Sequence, residues 1–243
     1  MSSSSTSSSA IRREDGRLGH VLSGLAVAMG CVLFLGGFAW GAVTYRPYTV
    51  PSQSMQPTVE PGDRILAQRV DGSEVRRGDI VVFQDQLWGS ATLVKRVVGV
   101  DGDVITCCDQ QGRMLVNGKP VEESYLLHEG PASITPFKTT VPKGQLFLLG
   151  DNRAESLDSR VHMTGGETGT VPRGAVRARV DAVAWPLGRL GMVDRAKNFT
   201  ALPGGVSQPG PLRWITVAVF AGAVLILGGA AYGPIARRLR RRR

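Results

Sequence analysis

Two stretches of this chain contain no Asp, Glu, Lys or Arg, one between Arg17 and Arg46 and one between Arg213 and Arg237. Within them, residues 21–45 and 214–236 are runs of 25 and 23 residues dominated by aliphatic, aromatic and small side chains. A helix of 25 residues spans about 37 Å, more than the roughly 30 Å hydrocarbon core of a bilayer. A buried helix of a soluble domain is seldom so long and so free of charge. Ala39-Trp40-Gly41 loosely matches a small-x-small cleavage site. The apolar region of a cleaved leader, however, is only about 7–15 residues long. Both runs are therefore predicted to be transmembrane helices, with Trp214 and Tyr232 placed as interfacial aromatics. The feature excludes a simple soluble enzyme, a collagenous chain and a coiled coil.

The net charge of +9 would suggest a nucleic-acid partner if it were spread over the chain. It is not. Arg12, Arg13 and Arg17 face Glu14 and Asp15 near the start, and six arginines crowd residues 237–243. The 168 residues from Arg46 to Arg213 hold 20 basic and 18 acidic side chains. The basicity thus belongs mainly to a tail beside an apolar run, where the positive-inside bias and anionic lipid favour it. Both termini are expected in the cytoplasm, the middle outside, and no nucleic acid is expected to bind.

That middle is long enough to bury a core without metals or disulfides. Short apolar runs bounded by Gly, Pro and Asp dominate it, at residues 63–70, 79–83, 92–99, 103–106, 113–116, 145–149 and 176–185. In the last, Val176, Ala178, Val180, Ala182 and Ala184 alternate onto one face. Asn117-Gly118 is a hairpin signal. The middle is predicted to be mostly β. Residues 1–20, which include the Ser/Thr tract 2–9, are predicted to be disordered, and the Pro- and Gly-rich residues 201–213 to form a linker. Three cysteines form no framework: Cys31 lies in the first apolar run, and Cys107-Cys108 leaves a vicinal disulfide, a bond to another chain and free thiols all open. His20, His128 and His162 are scattered, and no metal-ligand spacing is present.

Chemistry is concentrated in three segments. Residues 51–58, Pro-Ser-Gln-Ser-Met-Gln-Pro-Thr, follow the first apolar run closely. A serine is a poor nucleophile without a base, and no G-x-S-x-G elbow or histidine context supplies one. Lys95 sits in the strand-like run Leu93-Val94-Lys95-Arg96-Val97-Val98. By period two it shares a face with Leu93 and Val97, while Arg96 joins Val94 and Val98. Both faces are apolar, so the pattern does not say which is buried. An unperturbed lysine is neutral only about once in a few thousand molecules at pH 7, so a lysine base must be desolvated. The third segment, residues 150–160, reads Gly-Asp-Asn-Arg-Ala-Glu-Ser-Leu-Asp-Ser-Arg after an apolar run.

Taken together and in order, Pro51-Ser52-x-Ser54-Met55-x-Pro57-Thr58, Gly62-Asp63, Lys95-Arg96-Val97-Val98-Gly99-x-x-Gly102-Asp103 and Gly150-Asp151-Asn152-Arg153-x-x-Ser156-x-Asp158-Ser159-Arg160 resemble the motifs of the type I signal peptidases. Four ordered motifs behind an apolar anchor are far more specific than any one of them. The second apolar run and arginine tail depart from the single-anchor form and resemble some actinobacterial members. The resemblance implies a membrane-bound serine endopeptidase that cleaves signal peptides from exported precursors. It implies Ser54 as nucleophile, Lys95 as general base, and Ser52 with the Ser54 N–H as oxyanion hole. Ser156, Asp158 and Arg160 would support the dyad, with no metal or organic cofactor. The implied fold is an antiparallel β catalytic domain, residues 46–105 and 143–200, with a β insertion at 106–142. Tyr48, Val50, Pro51, Leu93 and Val94 are the expected lining for small side chains of an added substrate strand. The partners expected are signal peptides, the bilayer and anionic lipid at the tail. The competing reading is a non-catalytic, membrane-anchored extracytoplasmic β binding domain.

Overall fold

The computed structural model describes residues 8–241, and the side chains of residues 19–232. Two compact units result, one made of the residues up to Thr44 with those from Pro211 onward, the other of Tyr45–Gly210.

The first unit is a pair of helices, α1 (Ser8–Thr44) and α2 (Leu212–Arg241). Gly19–Thr44 and Leu212–Tyr232 are long and apolar enough to cross a membrane. Large apolar side chains such as Leu22, Val32, Phe220 and Leu227 point outward, as a lipid-facing surface requires. The helices meet through small residues. A Cβ on Gly30 would lie 2.8 Å from the Gly222 carbonyl, and one on Gly222 would lie 2.6 Å from the Phe34 nitrogen. Both helices are longer than the uncharged runs. Of the N-terminal segment expected to be disordered, residues 8–20 are helical and residues 1–7 lie outside the described residues. Of the arginine tail, residues 237–241 continue α2, and its side chains, like those of Arg12, Arg13 and Arg17, lie outside the described residues.

The second unit is antiparallel β. Its strands are β1 (Tyr45–Thr49), β2 (Arg64–Gln68), β3 (Ile80–Phe83), β4 (Leu93–Val100), β5 (Val104–Cys107) and β6 (Met114–Val116). They continue as β7 (Lys119–Val121), β8 (Phe137–Thr140), β9 (Gln145–Leu149), β10 (Val171–Pro172), β11 (Val176–Trp185) and β12 (Gly191–Met192). Eight form one sheet in the order β1-β2-β11-β3-β4-β9-β10, with β12 added to β11. The other four form a sheet in the order β7-β6-β5-β8. All seven apolar runs picked out in the sequence contain strands. Asn117 (φ 53°) and Gly118 (φ 77°) both take the left-handed conformations of a tight β6–β7 turn.

The simple alternation expected for residues 176–185 does not hold. Register shifts between Val180 and Ala182, and between Val183 and Trp185, turn the chain within β11. Val183 is buried and Ala184 only half-buried, and the charged Arg179 and Asp181 are buried too. Asp181 is tolerated there because Tyr45 Oη and Arg195 Nη2 donate to it at 2.7 and 2.8 Å.

Three Gly-Asp pairs start strands by one device. Gly62, Gly78 and Gly102 hold φ of 88°, 84° and 82°, which a side chain would resist. The following Asp63, Asp79 and Asp103 each accept the backbone N–H three residues back, at 2.9, 2.9 and 2.8 Å. Each carboxylate is buried and meets an arginine, Arg189, Arg195 and Arg77 respectively. The pair formed by Arg77 and Asp103 is the most buried, with 6% and 3% of the side chains exposed. Replacing Asp103→Ala strands a buried guanidinium and is expected to cost about 3–5 kcal/mol, read as a lower denaturant midpoint for the full chain in detergent. An unchanged midpoint would show that the pair contributes nothing.

Candidate active site

The site is organised around β4, which lies between β3 and β9 with Val81 opposite Lys95 and Leu149 opposite Arg96. Adjacent strand residues point to opposite faces, yet both are inside, Lys95 at 4% and Arg96 at 1% exposure. The ambiguity of the sequence pattern thus has a physical answer: both faces of this strand are covered. The two cations are handled differently. Arg96 Nε and Nη2 fork onto the Asp151 carboxylate at 2.8 and 2.6 Å, and Nη1 donates to the Gly78 carbonyl at 2.9 Å. The Tyr125 ring lies 4.0 Å from the guanidinium carbon, and Thr58 Oγ1 donates to Asp151 Oδ2 at 2.5 Å. No such partner set surrounds Lys95. Burial lowers its pKa to about 8, the attraction of Asp158 opposes that, and Arg160 lowers it further.

Ser54 is buried in a single turn of 3₁₀ helix, Gln53–Met55, that packs near β4. Its shape is held from the 150–160 loop. Asn152 N donates to the Ser54 carbonyl at 3.1 Å, and Asn152 Nδ2 donates to that of Gln53 at 3.2 Å. Ser52 Oγ donates to Ser54 Oγ at 3.2 Å. Gly150 is where the segments meet, because a Cβ there would overlap both Ser156 Oγ and the Ser54 carbonyl oxygen.

Within the loop, Gly150 N donates to Asp158 Oδ2 at 3.0 Å, and Arg160 Nε and Nη2 reach the same carboxylate at 2.8 Å each. Burial pushes the Asp158 carboxyl up, but the Arg160 hydrogen bonds and charge outweigh this and hold it below the ordinary range. Arg160 Nη2 also donates to the Arg153 carbonyl at 2.8 Å. Arg153 donates to Gly150 O at 3.0 Å and to the Ala132 carbonyl at 3.1 Å, and it pairs with Glu123. Ser156 Oγ is buried beside the Asp158 carboxylate and helps to lower its pKa, though its geometry is too poor for a full hydrogen bond. It lies close to the charged pair that biases Lys95.

The sequence-predicted residues Ser52, Ser54, Ser156, Asp158 and Arg160 thus share contacts around Gly150, and Lys95 lies within the electrostatic reach of the last two. The expected substrate lining divides. Val50 and Val94 lie in one apolar cluster, with Tyr48 packed against it, whereas Leu93 packs on a different cluster with Val81 and Val97. Pro51 is exposed. Met55, beside Ser54 in the chain, is buried in the first cluster as well, although it was not among the residues expected there. Asn152, Tyr125 and Glu123 were also missed as contributors. Asn152 lies inside a motif, but no local pattern connects Tyr125 and Glu123 to it. Cys107 and Cys108 form a vicinal disulfide outside this site, in and just after β5. His162 stacks on Trp88 with centroids 4.3 Å apart. Among the described residues no group of three or more His, Cys, Asp or Glu could hold a metal ion.

Residues 21–185 match the family described as signal peptidase, peptidase S26. Signal peptidase I of Leptolyngbya laminosa is 34% identical over 159 residues, which cover 62% of this chain and 73% of that protein. Signal peptidase I of Mycobacterium tuberculosis H37Rv is 32% identical over 203 residues, covering 61% and 67%. A crystal structure of a signal peptidase I from Enterococcus faecalis V583 is 27% identical, covers 43% of this chain and 94% of that one, and gives a TM-score of 0.36.

The titration of Lys95 has a consequence for stability. Between its folded pKa of about 8 and its ordinary value of 10.5, the unfolded chain binds more protons than the folded one, so stability rises with pH across that window. The gain is complete above the upper value and lost as pH falls through the lower. The stability of wild type relative to Lys95→Met is expected to increase by about 2–3 kcal/mol from pH 7 to pH 10, measured from denaturation midpoints. A gap that stays constant would mean the amine is not desolvated.

Proposed function

The chain belongs to the signal peptidase family, membrane-associated serine endopeptidases that remove signal peptides, and on that premise we propose that Ser54 and Lys95 are its catalytic dyad. The observation that supports this most is the burial of Lys95 on a doubly covered strand. With a pKa of about 8, roughly one amine in ten is neutral at pH 7, against one in thousands for a free lysine. The neutral amine takes the Ser54 proton, and Ser54 Oγ attacks the scissile carbonyl. Ser52 Oγ and the Ser54 N–H then donate to the developing oxyanion, a contribution on the order of 3–4 kcal/mol per donor. The Lys95 ammonium returns its proton to the leaving amine, and the mature protein departs. A water molecule deprotonated by Lys95 then attacks the acyl-enzyme and frees the signal peptide. Ser156 Oγ, buried beside the Asp158 carboxylate, orients the Lys95 amine, and Asp158 with Arg160 fixes the loop that carries Ser156.

Specificity follows from the apolar cluster of Val50, Met55 and Val94 with Tyr48. A bound strand would place alternate side chains against this close-packed apolar cluster, where alanine-sized groups are expected to be accepted and larger ones rejected. Leu93 is dropped from that lining, because it packs on the other cluster. The two apolar helices hold the enzyme in the bilayer its substrates cross, which raises their effective concentration. In this reading both termini are cytoplasmic, residues 46–105 and 143–200 are the extracytoplasmic catalytic domain, residues 106–142 are its insertion, and the arginine tail meets anionic lipid.

Ser54→Ala and Lys95→Ala are expected to lower kcat/KM for a precursor with an Ala-x-Ala site by at least about 10³-fold, with the fold retained. Lys95→Arg should fail equally, since a guanidinium does not deprotonate at working pH. Normal cleavage by any of them, read by N-terminal sequencing of the product, overturns the dyad. The kcat/KM of wild type should rise with pH and level off above about 8, because the neutral amine is the active form. Covalent labelling of Ser54 by an acylating penem separates this reading from a non-catalytic binding domain, which would not react.

A further inference from the structure

A cavity of about 490 Å³ opens between residues 126–137, which lead into β8, and the 150–161 loop. Its rim carries three outward apolar side chains, Ile134 at 89%, Leu157 at 73% and Val161 at 50% exposure. Leu157 is conspicuous because its neighbours Ser156 and Asp158 are buried at 6% and 0%. The loop holds these two inside and turns the leucine out between them, so its apolar surface stays in water.

The charged groups of the floor are already satisfied. Arg153 is engaged by Glu123 and by the Gly150 and Ala132 carbonyls, and Arg160 by Asp158 and the Arg153 carbonyl. No arginine is left seeking an anion there, so a phosphate-bearing ligand does not fit. Ser156, whose buried hydroxyl lies beside the Asp158 carboxylate, lines the cavity. A Cβ on Gly150 would meet both the Ser156 hydroxyl and the Ser54 carbonyl, so this lining residue of the cavity lies within one small side chain of the nucleophile's turn. Two directions therefore lead away from Ser54. Met55 points into the cluster of Val50 and Val94, and across Gly150 the Ser54 carbonyl has Ser156, which lines the cavity, as its neighbour.

We propose that this groove binds the first residues of the mature chain, on the carboxyl side of the cut, and reads apolar side chains among them through Ile134, Leu157 and Val161. The assignment rests on the endopeptidase reading above. The signal-peptide side occupies the Val50–Val94 cluster, so the part of the substrate beyond the scissile bond leaves by the other direction. The volume suits a few residues of extended polypeptide. The enzyme would then discriminate among precursors by their early mature sequence as well as by the small residues before the cut.

The test uses the purified full-length chain in detergent and peptides identical through the cleavage site. One ends a residue past the cut, one continues for five residues with leucine at the second and third, and one carries aspartate at those two positions. Extension with leucine is expected to raise kcat/KM about tenfold, mainly through KM, and extension with aspartate to give no gain. In Ile134→Asp the gain should fall below about threefold, and Ile134→Val should keep it. Equal kcat/KM for the short and leucine peptides, an equal gain from aspartate, or a gain unchanged in Ile134→Asp would each overturn the groove. The peptide comparison needs no variant, so a variant that fails to fold leaves the test standing. Failure of wild type to cleave any of the three would instead sink the endopeptidase reading.

Discussion

Everything in the β unit depends on a strand whose two faces are both shut off from water. β4 carries adjacent cations, Lys95 and Arg96, and the pleat sends them to opposite sides of the sheet. Burying a charge is costly unless it is paired and hydrogen-bonded. Arg96 is supplied with a forked carboxylate, a carbonyl and an aromatic face. It remains charged and anchors Asp151. Lys95 receives only long-range help, from Asp158 and Asp151, partly cancelled by Arg160. The result is one structural cation and one amine on the edge of neutrality, made from neighbouring residues by unequal provision of partners.

The loop at residues 150–160 transmits that inequality to the serine. Asp151 is committed to Arg96, Asn152 to the backbone of the Ser54 turn, and Asp158 to Arg160 and the Gly150 N–H. Gly150 has to be glycine because two polar oxygens converge where its side chain would stand. Glu123 and Tyr125, just past the β5–β8 sheet's third strand β7, complete the set. Glu123 pairs with Arg153, and Tyr125 donates to Glu123 at 2.6 Å while covering Arg96. The smaller sheet is thereby tied to the loop that holds the Ser54 turn.

Much of this was legible in the sequence. The two uncharged runs, the seven strand-like segments and the hairpin at Asn117-Gly118 follow from periodicity, length and turn chemistry, which act over a few residues. The ordered motifs singled out Ser54, Lys95 and residues 150–160 as candidates. Less legible were Arg179 and Asp181, charged residues inside β11 whose burial depends on Tyr45 and Arg195 arriving from distant parts of the chain. The division of the expected lining was hidden as well. Leu93 and Val94 are neighbours in sequence but lie on opposite sides of one sheet, and only the covering of both sides assigns them to separate clusters.

The sequence by itself determined the membrane-compatible segments, the β class of the middle and the chemical types of the candidate groups, because these depend on local hydrophobicity, backbone preference and side-chain identity. Tertiary structure alone decided which cation had its pKa lowered by burial, which hydroxyl was buried beside Asp158 and which carboxylate went to which arginine. Those outcomes depend on desolvation and on partners drawn from segments about a hundred residues apart, such as Asn152 against Gln53, and no local pattern records who will be buried beside whom.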